Sequence, residues 1–221
     1  FIQDTVKLVE EKSPKRHTLI PLPVDILSYQ NREVHPRKNA VGFELSDPIE
    51  IAKLNESFSE ERQWKGGPII SGNMGLKNIE DVISPTTGKT IGQVAISTDL
   101  DIENALVAAS HFQKKWNNIG GEARAEILDR AANKLEKKCL TLMRLIAEEA
   151  GRTLEDGLSE VRGTVDFLRY YAGQARENFT KAKLLPGPTG ERNALYFQGR
   201  GTFLCIRPGN LPLSLSLGQV S

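Results

Sequence analysis

The clearest alternation of apolar and polar positions lies between residues 158 and 179. Leu158, Val161, Val165, Leu168, Ala172, Ala175 and Phe179 recur three and four apart, the spacing of one face of an α-helix. The seam resembles a coiled coil, but one side is rich in small residues. It predicts a helix starting near Leu154 that packs on a sheet or another helix inside a globular domain. A second stripe runs through Ile102, Ala105, Leu106, Ala109, Phe112 and Trp116. Thr98 and Asp99 can cap that helix, and Asp101 and Glu103 suit its first turn. Residues 118–121 interrupt it. A further helix is predicted from about Glu122 to Lys138, with Ile127, Ala131 and Leu135 on one face. Leu140 to Ala150 continues or restarts it, and Gly151 is a C-terminal stop.

Elsewhere the period shortens towards two. The runs from Asp81 to Pro85 and from Thr90 to Ile96 are short and β-branched, with Thr86-Thr87-Gly88-Lys89 between them. Gly88 can take the positive φ of a tight turn, so the pair predicts a hairpin. Asn193 to Gln198 and Thr202 to Ile206 read as two more strands, parted by Gly199-Arg200-Gly201. Pro208-Gly209-Asn210-Leu211-Pro212 then forms a strand-to-helix corner. Prolines 14, 21, 23, 36 and 48 punctuate the first sixty or so residues, where apolar periodicity is weak. This stretch reads as an arm, with one short helix capped by Ser46 and led by Asp47 and Glu50. Trp64 to Pro68 marks the start of the domain proper, so the chain divides into 1–63 and 64–221.

Composition narrows the class. Apolar residues make up 39% and charged residues 26% of 221 residues, which is ordinary globular composition. With 29 basic and 28 acidic residues, no single-sign field would draw the chain to nucleic acid or an anionic membrane. No apolar stretch is long enough for a transmembrane segment. Cys139 and Cys205 are too few for a disulfide framework and read as reduced thiols of a cytoplasmic protein. The start lacks an initiator Met, and Leu211 to Ser221 read as an element just under way. Both ends suggest a fragment.

The residues alone assemble no complete active site. The glycines fit neither a G-x-G-x-x-G nor a P-loop pattern. His17, His35 and His111 are too scattered for a metal site. Glu155, Glu160 and Asp166 share a helix with Arg152, Arg162 and Arg169 and read as solvated pairs. Tyr170, Tyr171 and Phe167 read as packing. Asn210, held between prolines, has the carboxamide of an oxyanion donor, although an asparagine there also serves a turn backbone.

Three stretches together resemble the aldehyde dehydrogenase family. Gly201-Thr-Phe-Leu-Cys-Ile-Arg-Pro-Gly-Asn-Leu-Pro-Leu213 is similar to that family's strand ending in P-W-N-F-P. Residues 82–94 resemble its N-P-x-T-G-x-x-I-G-x-V hairpin, and Arg124 to Ala132 its R-x-x-x-L-x-x-A helix. A sharper likeness lies in Glu148 to Asp156 and in Glu160-Val-Arg-Gly-Thr-Val-Asp-Phe-Leu-Arg-Tyr-Tyr-Ala172. These resemble the glutamate-semialdehyde (1-pyrroline-5-carboxylate) dehydrogenase half of the proline utilisation A proteins. Ile20 to Pro23 and Arg37 to Gly42 resemble the segment that joins its two enzymatic parts.

The resemblance implies an α/β fold of that family, incomplete. It holds helices, an oligomerisation-type hairpin and the first strand of an NAD-binding sheet. The activity implied is NAD-dependent oxidation of L-glutamate γ-semialdehyde to glutamate in proline catabolism. In that reaction a cysteine thiolate attacks the aldehyde, hydride leaves to nicotinamide, and a glutamate-activated water releases the acid. Asn210 would be the oxyanion donor. Ile206, Arg207, Pro208 and Gly209 would lie beside the cofactor, and Leu211 and Gly163 on the substrate side. The catalytic cysteine and glutamate lie beyond Ser221 in the family, so the chain alone is expected to be inactive. FAD would belong only to a proline dehydrogenase barrel ahead of the arm, and the parent would be a homo-oligomer. Arg207, Gly209 and Leu211 stand where serine, tryptophan and phenylalanine are usual, and Gly163 where the motif has glutamate. Another aldehyde dehydrogenase subfamily, or a non-catalytic helical assembly module, remain open readings.

Overall fold

In the computed structural model, residues 37–221 are described. The sequence features placed before them, including Ile20 to Pro23, His17 and His35, lie outside the described residues. From Asn39 to Ser221 the chain forms one unit.

Helix α1 (Pro48–Ser59) opens it. The expected cap, Ser46, gives way to Asp47, whose carboxylate accepts the Ile49 N–H at 2.8 Å. Pro48 explains the choice, since proline is pre-set for the first helical position and puts the cap one residue before it. Three short strands follow: β1 (Trp64–Gly66), β2 (Ile69–Ile70) and β3 (Asn73–Met74). The predicted hairpin is present as β4 (Ile79–Ile83) and β5 (Thr90–Ala95), antiparallel, with Gly88 at φ +68° in the turn. Strand β1 adds to β5 in parallel, giving the order β1-β5-β4. The expected helices are α2 (Asp99–Asn118), α3 (Gly120–Lys137), α4 (Cys139–Ala150) and α5 (Leu154–Phe179). Gly151, at φ +62°, ends α4 in the left-handed conformation. Strands β6 (Lys183–Leu185) and β7 (Asn193–Leu195) pair as a small antiparallel ribbon, and α6 (Ser214–Val220) closes the chain.

The core is built on α5. Leu158 and Val161 pack with Leu54, Met143 and Ile146, joining α1, α4 and α5. One turn on, Val165 and Leu168 pack with Ala132 and Ala40, joining α3 to the segment before α1. The three-four spacing thus marks a face shared among partners in the chain, not a coiled-coil seam. On α3 the buried residues are Gly121, Ala125 and Ala132, while Ile127 stays 37% exposed. Small residues there let α3 and α5 approach closely, so the buried face is rotated from the one the larger side chains indicated.

Two further expectations are not met among the described residues. Helix α2 forms, with the Thr98–Asp101 capping box, but it buries no residue. Ile102, Leu106 and Phe112 remain about half exposed. Residues 202–206 form no strand. A strand is defined by its ladder, and this segment finds no partner; Phe203 and Ile206 are each 72% exposed.

Polar contacts pin the leading segment down. The Glu136 carboxylate takes Arg169 Nη2 at 2.8 Å and Nη1 at 3.2 Å, and accepts the Val41 N–H at 2.9 Å. Asp166 accepts the Ala40 N–H at 2.7 Å. On α4, buried Arg144 donates to the carbonyls of Ser57 (2.5 Å) and Glu60 (2.7 Å), closing the C-terminal end of α1. Its partner Glu148 also accepts Trp64 Nε1 at 2.6 Å and so ties β1 to the helices.

Two predictions follow from this packing. A Cβ on Gly121 would run into the Ala175 and Phe179 backbone. Gly121→Ala should therefore destabilise the chain by about 1–3 kcal/mol, read as a lower denaturation midpoint. Gly42→Ala, where a Cβ meets nothing within 4 Å, should be close to neutral. Separately, the hydrogen bond from Arg169 holds the Glu136 carboxyl below its ordinary value. Its folded pKa is depressed, so its contribution is complete above the ordinary glutamate range, about 4.3, and is lost as pH falls through the lowered value. Hydrogen exchange at the Val41 amide should lose protection in that acid window. Glu136→Gln should remove the step, and an unchanged step would assign it to another group.

Candidate functional site

The corner around Asn210 is fastened to α5 after it and bridged across its own base. Helix α6 begins without a side-chain cap of its own, because Leu213 occupies the capping position. Glu160 of α5 takes that part. Its Oε2 accepts the Leu213 and Ser214 N–H groups, each at 2.9 Å, and its Oε1 accepts the Ser214 hydroxyl at 3.0 Å. A carboxylate at this end of a helix is also favoured by the backbone dipoles. Glu160 is only 3% exposed. On the other side, Arg207 Nη1 donates to the Pro212 carbonyl at 3.2 Å and spans the base of the turn.

Between these anchors Gly209 and Asn210 sit in the turn and face solvent, while Pro208 and Leu211 are half-buried. The Asn210 carboxamide has no hydrogen-bond partner among the described residues, so its N–H groups are free to donate outward. Ile206 and Arg207 are exposed. Gly163 lies on α5 one turn beyond Glu160, and Ser214 Cβ is 3.9 Å from where a Gly163 Cβ would stand. The structure thus brings Gly163 beside the start of α6. An open hollow of about 340 Å³, shared with Ser159, Arg162 and Asp166, borders the side chain that Gly163 lacks.

The charged residues of α5 depart from the expectation of solvated pairs. Glu155 and Arg162 are exposed as expected, and Arg152, just before the helix, lies 3.9 Å from Asp156; the others are not solvated pairs. Arg169 crosses to α3, Asp166 binds a backbone N–H, and Glu160 is buried. The signal that could have found Glu160 is its place in the helix. It lies four residues before Thr164 and eight before Leu168, within the buried face.

The two cysteines stand in different surroundings. Cys139 is half-buried at the start of α4, where burial pushes its thiol pKa up, and its Sγ lies 3.8 Å from Met143 Sδ. Cys205 is exposed, and its Sγ donates to the Gln219 carbonyl at 3.5 Å. Among the described residues no group of His, Cys, Asp or Glu is arranged to hold a metal ion. No described helix is long and apolar enough to cross a membrane. A dinucleotide needs a crevice at the ends of paired strands. Among the described residues, 202–206 join no strand ladder.

The sequence model of the aldehyde dehydrogenase family matches residues 73–221. The bifunctional protein PutA of Klebsiella aerogenes is 31% identical over 230 residues, covering 100% of this chain and 16% of that protein. The 1-pyrroline-5-carboxylate dehydrogenase of Staphylococcus epidermidis is 27% identical over 190 residues, covering 84% of this chain and 37% of that enzyme. The crystal structure of a 1-pyrroline-5-carboxylate dehydrogenase from Thermus with bound NAD shares the fold. It matches with a TM-score of 0.76 at 24% identity, over 85% of this chain and 37% of that one. The chain therefore spans about a sixth of the first relative and little more than a third of the other two.

Proposed function

From a chain that belongs to the aldehyde dehydrogenase family, we propose that it supplies the oxyanion corner of an NAD-dependent dehydrogenase oxidising L-glutamate γ-semialdehyde to glutamate. The observation that carries this reading is the Asn210 carboxamide. It is exposed on a turn that Arg207 bridges to Pro212 and that Glu160 fastens to α5 just after it, with no partner among the described residues. When a thiolate adds to an aldehyde, the carbonyl oxygen becomes an alkoxide. A fixed amide N–H aimed at that oxygen stabilises the charge as it develops and needs little reorganisation. NAD, when bound, is the hydride acceptor. Ile206, Arg207, Pro208 and Gly209 form the edge it would lie along, and Leu211 and Gly163 the substrate side. The family resemblance implies an attacking cysteine other than Cys139 and Cys205.

The choice of semialdehyde over other aldehydes draws on the names of the relatives and on the α5 motif. The match to PutA across the whole chain supports residues 1–63 as the segment joining this domain to a proline dehydrogenase barrel, to which FAD alone would belong. Assembly of the parent into a homo-oligomer fits β4, which stands at the sheet edge with Ile79 and Ile83 half-exposed. The two free thiols fit a cytoplasmic setting.

In an active enzyme containing this segment, Asn210→Ala should lower kcat by roughly 10²-fold or more with little change in KM. An unaltered kcat would remove Asn210 from the chemistry. Titration calorimetry of NAD into the 221-residue chain should show weak binding or none, because one edge cannot enclose a dinucleotide. Tight binding would mean that a crevice forms from residues other than these.

A further inference from the structure

A buried carboxylate ordinarily has a cation beside it or several donors converging on it. Among the described residues Glu160 has no ion-pair partner. Its oxygens are spent on three donors from two consecutive residues, Leu213 and Ser214. It projects from the buried face of α5 between Leu158 and Val161, which are fixed in the core. We propose that Glu160 is the positioning residue of the corner. It fastens the backbone at Leu213 and Ser214 to α5 and so sets the direction in which Asn210 presents its carboxamide. The proposal rests on the reading of Asn210 as an oxyanion donor.

Chain geometry transmits the hold. Only Leu211 and Pro212 separate Asn210 from Leu213, and the pyrrolidine ring fixes φ at Pro212, so little slack lies between anchor and carboxamide. The opposite side offers no equal support. Arg207 is exposed, and residues 202–206 join no strand ladder, with Cys205 making a long contact to the Gln219 carbonyl. Helix α6 has no cap of its own that could take over from Glu160.

The hydrogen-bond chemistry separates positioning from charge. In Glu160→Gln the amide oxygen can still accept both N–H groups, and the amide NH₂ can donate to the Ser214 hydroxyl, which accepts as well as donates. Glu160→Ala removes all three bonds. The test is ¹⁵N NMR on the 221-residue chain and these two variants. In Glu160→Ala, exchange of the Leu213 and Ser214 amides should accelerate roughly tenfold or more. The heteronuclear NOE of the Asn210 backbone amide should collapse, while methyl shifts of Met143 and Val165 stay in place. Glu160→Gln should restore most of the order. If Asn210 is as ordered in Glu160→Ala as in the parent chain, or if glutamine behaves as alanine does, the positioning role is overturned. Should Glu160→Ala not fold, Ser214→Ala removes one of the three bonds. A smaller loss of Asn210 order then supports the proposal, and no loss overturns it. These spectra do not depend on turnover. A kcat indifferent to Asn210→Ala overturns the oxyanion reading without moving them, and unmoved spectra overturn the positioning role whatever kcat does.

Discussion

Helix α5 has one buried face, and that face must meet α3, α4, α6 and the backbone before α1. This sharing constrains the residues along it. Gly157 and Ala172 are small where a neighbour comes close, and Leu158, Val161, Val165 and Leu168 fill the two core clusters. The polar members are each committed. Thr164 returns its hydroxyl to the Glu160 carbonyl at 2.7 Å, and Glu160 itself binds the start of α6. A buried polar side chain left without partners would cost more than its bonds contribute. Glu160 is therefore compatible with the core only while the Leu213–Ser214 backbone lies against it. Core and corner depend on each other through this one carboxylate.

Legibility in the sequence follows from how local each signal is. The spans of α2 to α5 and the β4–β5 hairpin could be read directly, because helix periodicity, caps and a turn glycine are encoded within a few residues. The first cap moved from Ser46 to Asp47 because Pro48 outweighs the serine, a contest also decided locally. Which face of α3 is buried could not be read in the same way. The large residue Ile127 suggests one face, but close contact with α5 demands small residues and selects Gly121, Ala125 and Ala132. Periodicity reports that a face exists, and only the partner decides how wide it is and where it is centred.

The corner divides along the same line. Its prolines, its turn and Asn210 are consecutive, so they were visible as a motif. Glu160 lies fifty residues before Asn210 in sequence, and a glutamate near arginines on a helix looks solvated until its angular position is compared with Leu158, Val161 and Thr164. Residues 202–206 illustrate the converse. Their β-branched and aromatic composition suits a strand, yet a strand is a relation between segments, and composition cannot provide the second one.

The distribution of exposed apolar groups bears on how such a corner could operate. On the inner face of α5, Leu158, Val161, Val165 and Leu168 are buried, whereas α2 and the stretch 196–206 keep large side chains in solvent: Leu106 at 54%, Tyr196 at 69% and Leu204 at 83%. Few bonds hold that stretch. Gly199 N–H reaches Asn117 Oδ1 at 2.9 Å, and Phe197 meets Phe179 with ring centres 6.0 Å apart. A donor carried on a weakly held segment would lose much of its value to motion, since electrostatic stabilisation of a developing charge depends on dipoles that are already in place. Here the anchor sits on the other flank, after Asn210 and not before it. Rigidity at the corner is borrowed from the helical core through Glu160, and Asn210 does not need the strand before it to be formed in order to be held.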